Sequence, residues 1–526
     1  MSTNLRTACA VCAVCAWLPF LIPACAAESN AECDAAIAHV SECYGEDVAA
    51  DFAMTCDSAS ARAALGEACE GGADGKTDFF PTDILSPPLE HFKYGSIGAD
   101  KRGIPLAILR ALPLVCEDLL PEGADPRHEP LAAFGLIYEP SHDVPIGFSS
   151  RRLPLIGTTL VGNTCSVCHT STVRESPESE RVVYFGAPAT RFDLEAYNSF
   201  LLDCVTDESR FNRTSLDRAF RELRITGPDR LLSLATRLLR WFVEDLKEQI
   251  DSIVRDGPWG PGRDDAIGLS AAILLGPEYV TSTPAPVDFP SVWNQGARAG
   301  NALHWDGAAG SAVERNVLVA VGAGTPRDGV PLESIAAIQG WLEDLPPPAY
   351  PFAIDTELAG RGQTIFEAHC YECHSEGGAR LWSVVPLDEL GTDPNRVDVA
   401  TREGIDAINR LSGRGWLFDE FRKTDGYLSS LLDGIWLRAP YLHNGSVPTL
   451  RDLLSPPAER PPAFYRGNDT YDQTDVGFVS TVDREGLVRH VLFDTSRRGN
   501  GNGGHTYGTE LSDGDRDALL EYLKTL

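Results

Sequence analysis

The chain has 526 residues, 43% of them hydrophobic, and carries a formal net charge of −31. This length gives room for about three domains, each able to bury its own core. The acidity argues against nucleic acid or an anionic membrane surface as partner, and favours solubility or basic partners.

Residues 1–27 combine one arginine, an apolar stretch and the small residues Ala24-Cys25-Ala26-Ala27, the pattern of a secretory signal. Ile22-Pro23-Ala24-Cys25 also has the look of a lipoprotein cleavage box. Two outcomes stay open: a soluble periplasmic or secreted protein, or one lipid-anchored through Cys25 and membrane-bound only in that way. No later stretch approaches ~18 uninterrupted apolar residues, so no other membrane span is expected. Cys33, Cys43, Cys56 and Cys69 crowd together before the linker Glu70-Gly71-Gly72-Ala73-Asp74-Gly75. In an exported chain this reads as a small helical module, residues 28–76 with its linker, stapled by two disulfides. Cys116 and Cys204 either make a third bridge or stay as buried thiols.

From residue 77 the chain is punctuated by Pro and Gly, and the hydrophobic runs Ile104–Cys116 and Leu153–Val161 lead into Cys165-Ser166-Val167-Cys168-His169. A second copy follows at Cys370-Tyr371-Glu372-Cys373-His374. Two thiols three positions apart on a tight turn can form thioethers to one haem, and the adjacent His is carried under its iron as an axial ligand. A zinc site would need four ligands, and neither motif has a second pair nearby. The expectation is two covalently bound haem c groups, held by Cys165 and Cys168 with His169, and by Cys370 and Cys373 with His374. Calcium is a further candidate cofactor for which no motif stands out.

Between Thr214 and Val254 apolar residues such as Leu231, Leu234, Leu238 and Phe242 recur at helical spacing, predicting one or two long amphipathic helices. Leu332–Leu345 predicts another, ending at Pro346-Pro347-Pro348. That proline run divides a first haem domain, 77–347, holding the active site, from a second, electron-transfer haem domain, 348–526. In the second, a helix through Leu358–Ala368 runs into the haem motif. A last helix, capped by Ser512 with Asp515, is expected to cross it with Gly360 against Tyr522. The fold class expected is mainly α: two cytochrome c-type haem domains with long loops and little sheet, plus the small disulfide-rich helical module.

The only methionines are Met1 and Met54, so His/Met ligation is not expected at either iron. His505 stands in Gly499-Asn500-Gly501-Asn502-Gly503-Gly504-His505, where a Gly-rich loop brings backbone close to a flat cofactor and presents one side chain. It is the favoured second ligand of the second haem. His443 is the rival, or else bonds a propionate or buttresses the core. The first haem has no comparable second ligand, and an open iron beside a closed one is an enzyme's division of labour.

Several stretches over roughly residues 90–526 resemble the dihaem cytochrome c peroxidase superfamily, and most closely its rubber oxygenase (RoxA-like) branch. They are Gly95-Ser96-Ile97-Gly98 with Gly103-Ile104-Pro105, Pro145–Ser149, Pro290-Ser291-Val292-Trp293-Asn294, His304-Trp305-Asp306-Gly307, Gly434–Gly445 and the Phe493–Gly508 run. The resemblance implies that Trp305 relays electrons between the haems, that Trp293, a candidate catalytic residue with Trp305, lies in a segment bordering the active haem, and that His443 lies near haem without ligating it. Superfamily peroxidases carry a distal Glu about twenty residues after the relay Trp; here Val317–Pro326 holds no acid. A peroxidase needs a proton acceptor at the distal oxygen, whereas an apolar pocket suits O2 and a hydrocarbon.

The leading expectation is therefore an exported dihaem oxygenase, with O2 bound at the first haem and used to cleave an alkene such as polyisoprene. Two alternatives stand beside it: a dihaem peroxidase reducing H2O2 with electrons from a small redox partner, and a non-catalytic electron carrier.

Overall fold

The protein is described by a computed structural model covering residues 88–526 except 155, 254–256 and 282. The expected signal segment and Cys-rich module lie outside the described residues. The structure is about 40% helical and 15% strand.

Helix α1 (Pro88–Tyr94) is followed by the short strand β1 (Ile104–Pro105) and by α2 (Leu106–Val115). Strands β2 (Phe148–Leu153) and β3 (Thr158–Asn163) pair antiparallel, and β1 adds to the other edge of β3. This small sheet delivers the chain to the first Cys-x-x-Cys-His. Then come α3 (Leu194–Thr206), α4 (Arg213–Glu222), a 3-10 stretch at Gly227–Ala235 and α5 (Thr236–Ile253). The region expected to hold one or two helices thus holds two, α4 and α5: α4 ends at Leu223, Arg224 takes φ +56°, and Pro228 starts the 3-10 stretch that leads into α5.

Asp193 and Asn212 cap α3 and α4 by accepting backbone N–H bonds from Ala196 and Ser215. Strands β4 (Arg263–Asp264) and β5 (Val287–Asp288) pair on either side of α6 (Ala266–Leu275). Helices α7 (Ala312–Gly322), α8 (Leu332–Asp344), α9 (Thr356–His369) and α10 (Asp513–Leu523) complete the main framework. Ser512 caps α10 as expected, accepting from the Asp515 N–H.

Three hydrophobic clusters hold these elements. The first joins α2 through α5 around Leu112, Phe200, Leu216 and Phe220. Within it Cys116 and Cys204 are fully buried and joined as a disulfide, which settles the choice between bridge and free thiols. The second cluster packs Trp293 and Val173 with Trp436, Tyr471, Phe366 and Leu519. The third packs α7 and α8 with Phe92 and with residues 400–421. The second and third clusters each mix residues from both sides of Pro346–Pro348, so the two halves do not keep separate cores.

Helices α9 and α10 cross at a glycine, but not the expected one. A Cβ at Gly360 would meet open space, whereas one at Gly362 would lie 1.9 Å from the Ala518 carbonyl oxygen and 2.9 Å from Tyr522 Cβ. The crossing point is two residues further along, with Phe366 against Tyr522 at 5.1 Å between ring centres. Gly362→Ala is expected to lose about 1–3 kcal/mol through overpacking, while Gly360→Ala gains roughly 0.5–1 kcal/mol of helix stability. Thermal unfolding of the two variants checks the assignment: equal shifts would contradict it.

Candidate functional site

The first motif follows β3 on a single 3-10 turn, Cys165–Val167. The Ser166 hydroxyl donates to the Lys93 carbonyl at 3.0 Å, tying the turn to α1. Gly147, at φ +94°, lets the backbone approach Val167 so closely that a Cβ there would lie 2.4 Å from Val167 Cα. Cys165 and Cys168 are free thiols, although Cys116 and Cys204 are bridged in the same half of the chain. His169 Nδ1 donates to the Pro290 carbonyl at 2.9 Å. That bond fixes the tautomer and leaves Nε2 as the lone-pair nitrogen, the outer-shell arrangement of a metal-ligating histidine. Burial lowers the His169 pKa to about 4, so the ring is neutral, as a ligand must be.

The second motif repeats the arrangement on different elements. Cys370 caps α9, and Tyr371–His374 forms one helical turn. Cys370 and Cys373 are again free thiols. His374 Nδ1 donates to the Ser430 carbonyl at 2.7 Å. The ring centre of His505 lies 6.3 Å from that of His374. Metal–imidazole bonds of about 2 Å, with about 1.1 Å from nitrogen to ring centre, set two imidazoles on opposite sides of one metal about 6 Å apart. The spacing observed fits a shared iron. Nδ1 of His505 is buried without a partner, and burial holds its pKa down to about 4.

His505 has φ +45°, a strained value for a non-glycine residue, and the loop is held from both sides. Its N–H donates to the Leu390 carbonyl at 2.8 Å. Arg460, which nothing in the sequence singled out, donates to the carbonyls of Leu453, Ser455, Asn502, Gly504 and His505. Burial pushes its pKa down to about 10. Arg460→Ala should release the loop, lowering occupancy of the six-coordinate form of the second haem about tenfold or more. A low-spin spectrum unchanged from wild type would contradict this role.

His443 is placed elsewhere. Its ring stacks on Tyr427 at 3.9 Å between ring centres, and its Nε2 shares a 2.9 Å hydrogen bond with the Tyr427 hydroxyl. It is buried and buttresses the core against Tyr427.

A cavity of about 660 Å³ opens beside the first motif, reached by Cys165, Cys168 and His169. Its walls are mostly apolar, from α2, α3, α5, α6 and α7. Trp305 lines it, and its hydrogen bonds tie together the backbone under both motif histidines. Trp305 Nε1 donates to the Asp288 carbonyl at 2.9 Å, two residues before Pro290. The Trp305 carbonyl accepts from Leu428 at 2.8 Å, two residues before Ser430.

Trp293 is buried beside that lining. It does not line the cavity; its neighbours Pro290, Ser291 and Val292 do. Its ring is fully buried in the second cluster, its N–H bonded to the Asp433 carbonyl at 3.0 Å and its face covered by Arg438.

From α7 the cavity is lined by Arg315, Asn316, Leu318, Val319 and Gly322, none of them an acid. An acid comes from another element. Asp264, on β4, lines the cavity, and burial raises its pKa to about 7. His304 also reaches the cavity, with Nδ1 buried and unpartnered. Arg298, Arg315, Arg396 and Arg438 add cationic groups to the lining; Arg298 and Arg438 pair with Asp433 and Arg396 with Asp306, while the Nε of each of these three is buried with no acceptor. Buried donors without acceptors cost about 1–3 kcal/mol each, so this set suits a ligand that brings carboxylates, as haem does.

Free thiols in pairs, oriented neutral histidines, a large apolar cavity and unpartnered guanidinium donors all fit covalent haem c. Among the described residues two acidic groupings could suit calcium. In one, Lys93 places its ammonium against Glu90 and Glu139 at 2.5 and 3.0 Å. In the other, the Glu314 carboxylate already accepts the backbone N–H groups of Asp419 and Glu420. Neither points to a bound ion.

The site defines a cytochrome c-like haem protein, and the comparison with known families agrees. Residues 426–466 match the family described as RoxA-like, cytochrome c-like, which implies haem c with its iron and an oxidoreductase in general. The matched stretch holds the Ser430 that orients His374, the Leu428 bonded to Trp305, and Arg460. Two relatives come from Sinorhizobium fredii (strain NBRC 101917 / NGR234). Uncharacterized protein y4iM is 32% identical, over 47% of this chain and 66% of its own length. Uncharacterized protein y4iJ is 26% identical, over 75% of this chain and 84% of its own.

Proposed function

We propose that the protein is an exported dihaem c-type oxygenase that cleaves an alkene, with the His169 centre reactive and the His374/His505 centre handling electrons. The observation that carries this reading is the inequality of the two histidines. His374 faces His505 across 6.3 Å, whereas among the described residues no imidazole or aromatic ring faces His169 in that way. What His169 faces is the apolar cavity.

A haem at each motif would supply the redox chemistry, with a free face at the first for O2. The chain supplies placement and shielding. Pro290 and Ser430 hold the two imidazoles in orientation, and Trp305 lies in the polypeptide between them, which supports its role as the coupling residue. Apolar walls around a bound haem would keep water away and favour an apolar co-substrate. In the overall reaction the C=C bond breaks and each carbon takes one atom of O2, so no external electrons are consumed. Polyisoprene is the substrate suggested by the resemblance to rubber oxygenases.

Asp264 favours a second reading, a peroxidase, because it brings to the cavity a carboxyl that holds its proton below about pH 7 and releases it above. Reduction of H2O2 to water takes two electrons from a reduced donor and two protons, and Asp264 could pass protons at its carboxyl oxygen. If so, the turnover–pH profile has a step near pH 7 that Asp264→Asn removes. An identical profile in the variant would remove Asp264 from proton handling.

The two readings separate in one assay of the purified holoprotein. O2 uptake with carbonyl products from polyisoprene latex supports the oxygenase. Rapid H2O2 turnover with a reduced donor cytochrome, and inertness to latex in air, replaces it by the peroxidase.

A further inference from the structure

The strong acidity of the whole chain conceals a local reversal. Between residues 210 and 240, eight arginines stand against three carboxylates, Asp217, Glu222 and Asp229, with no lysine. The segment comprises α4, the 3-10 stretch and the first turn of α5. Three of its arginines are engaged: Arg210 with Asp118 and Asp207, Arg213 with Asp217, and Arg240 with Glu208. Arg218, Arg221, Arg224, Arg230 and Arg237 are exposed and form no ion pair among the described residues.

Large apolar side chains stand out from the same segment. Leu231 is 55% exposed, Leu234 54% and Trp241 61%, against a core whose members are nearly all hidden. Leu231 and Leu234 are one 3-10 turn apart, and Trp241 follows two α-helical turns later. On α5 the opposite side is the inner one: Leu239, Val243, Leu246 and Ile250, spaced four, three and four residues apart, line the cavity. The helix therefore has an apolar inner face on the cavity and an outer side on which Trp241 stands, with Arg237 one turn before it and the exposed Glu244 and Glu248 after it, while Leu231 and Leu234 project from the 3-10 stretch among Arg221, Arg224 and Arg230.

We infer that this face docks on an anionic lipid surface, with the arginines on the headgroups and Leu231, Leu234 and Trp241 in the interfacial layer. Charge complementarity selects an anionic surface within a chain of net charge −31. Repulsion from the rest of the molecule is screened beyond about 8 Å at physiological ionic strength, so the local surplus governs close contact. Trp beside Leu, bordered by Arg, is the composition of a helix lying in a membrane interface, where Trp has both an apolar and a wet neighbour. The docking does not rest on the oxygenase reading.

The test is co-sedimentation of the full-length holoprotein with vesicles of phosphatidylcholine, with and without phosphatidylglycerol, at low and high salt and without any substrate. Binding is expected to the phosphatidylglycerol vesicles, to fall with salt, and to weaken about fivefold for each of Arg221→Gln, Arg224→Gln and Arg230→Gln. Trp241→Ser should weaken it by at least as much. Leu487→Ser, at an equally exposed apolar residue elsewhere, should leave it unchanged. Unaltered haem spectra in the variants show that folding is intact. Failure of the full chain to bind anionic vesicles at low salt, equal binding by all variants, or capture by an acidic polypeptide but not by vesicles overturns the proposal. Because turnover is not measured, loss of the oxygenase reading would leave this result standing.

Discussion

His505→Ala is expected to turn the second centre from a closed, low-spin haem into an open one, doubling the CO bound per reduced molecule. The expectation follows from the 6.3 Å between the rings of His374 and His505 and from the loop that holds His505 at φ +45°. That backbone value is maintained by the Leu390 carbonyl on one side and Arg460 on the other, so the ring is placed before any metal arrives. Such preorganisation is what an axial ligand needs, because loop ordering is not charged against the metal bond. The alanine variant should keep its fold, since the ring packs only against His374 and Tyr507 among the described aromatic residues. Imidazole added to the buffer should restore the low-spin spectrum. A variant with unchanged spectrum and CO uptake would mean that another group ligates the second iron.

Trp305→Ala should lower turnover by about ten- to a hundredfold while leaving both centres assembled. Its indole N–H and its carbonyl bond to the two backbone stretches that end in Pro290 and Ser430, the acceptors of His169 and His374. Trp305→Phe keeps an aromatic ring but gives up the bond to Asp288, worth about 1 kcal/mol. A relay role predicts that Phe retains much of the coupling and Ala little. The readout is the rate at which electrons equilibrate between the centres after flash reduction, with haem content as control. Equal loss in both variants would assign Trp305 to packing instead.

The spacing of Cys165, Cys168 and His169 is readable in the sequence, because thioether attachment to a haem would dictate it. Local signals were legible too: Ser512 with Asp515 starts α10, and the Gly-rich loop marks His505. What depends on the meeting of distant segments was not. Gly360 and Gly362 are equivalent as letters, and only the register against Ala518 selects Gly362. Trp293 and Trp305 stand in similar company along the chain, yet one fills a core and the other faces the cavity. Asp264 reaches the cavity from a two-residue strand far from either motif, and Arg460 reads as one arginine among many until its five carbonyl partners are seen. The overall charge is no guide to local charge either, since it averages over the arginines between residues 210 and 240.

The central claim, one open centre and one closed, is tested most directly by CO titration of the reduced, fully haem-loaded protein, read together with its low-temperature EPR spectrum. The account predicts two haems per chain, of which one binds CO and gives a high-spin signal when oxidised, while the other stays low-spin. Two low-spin haems and no CO uptake would contradict it.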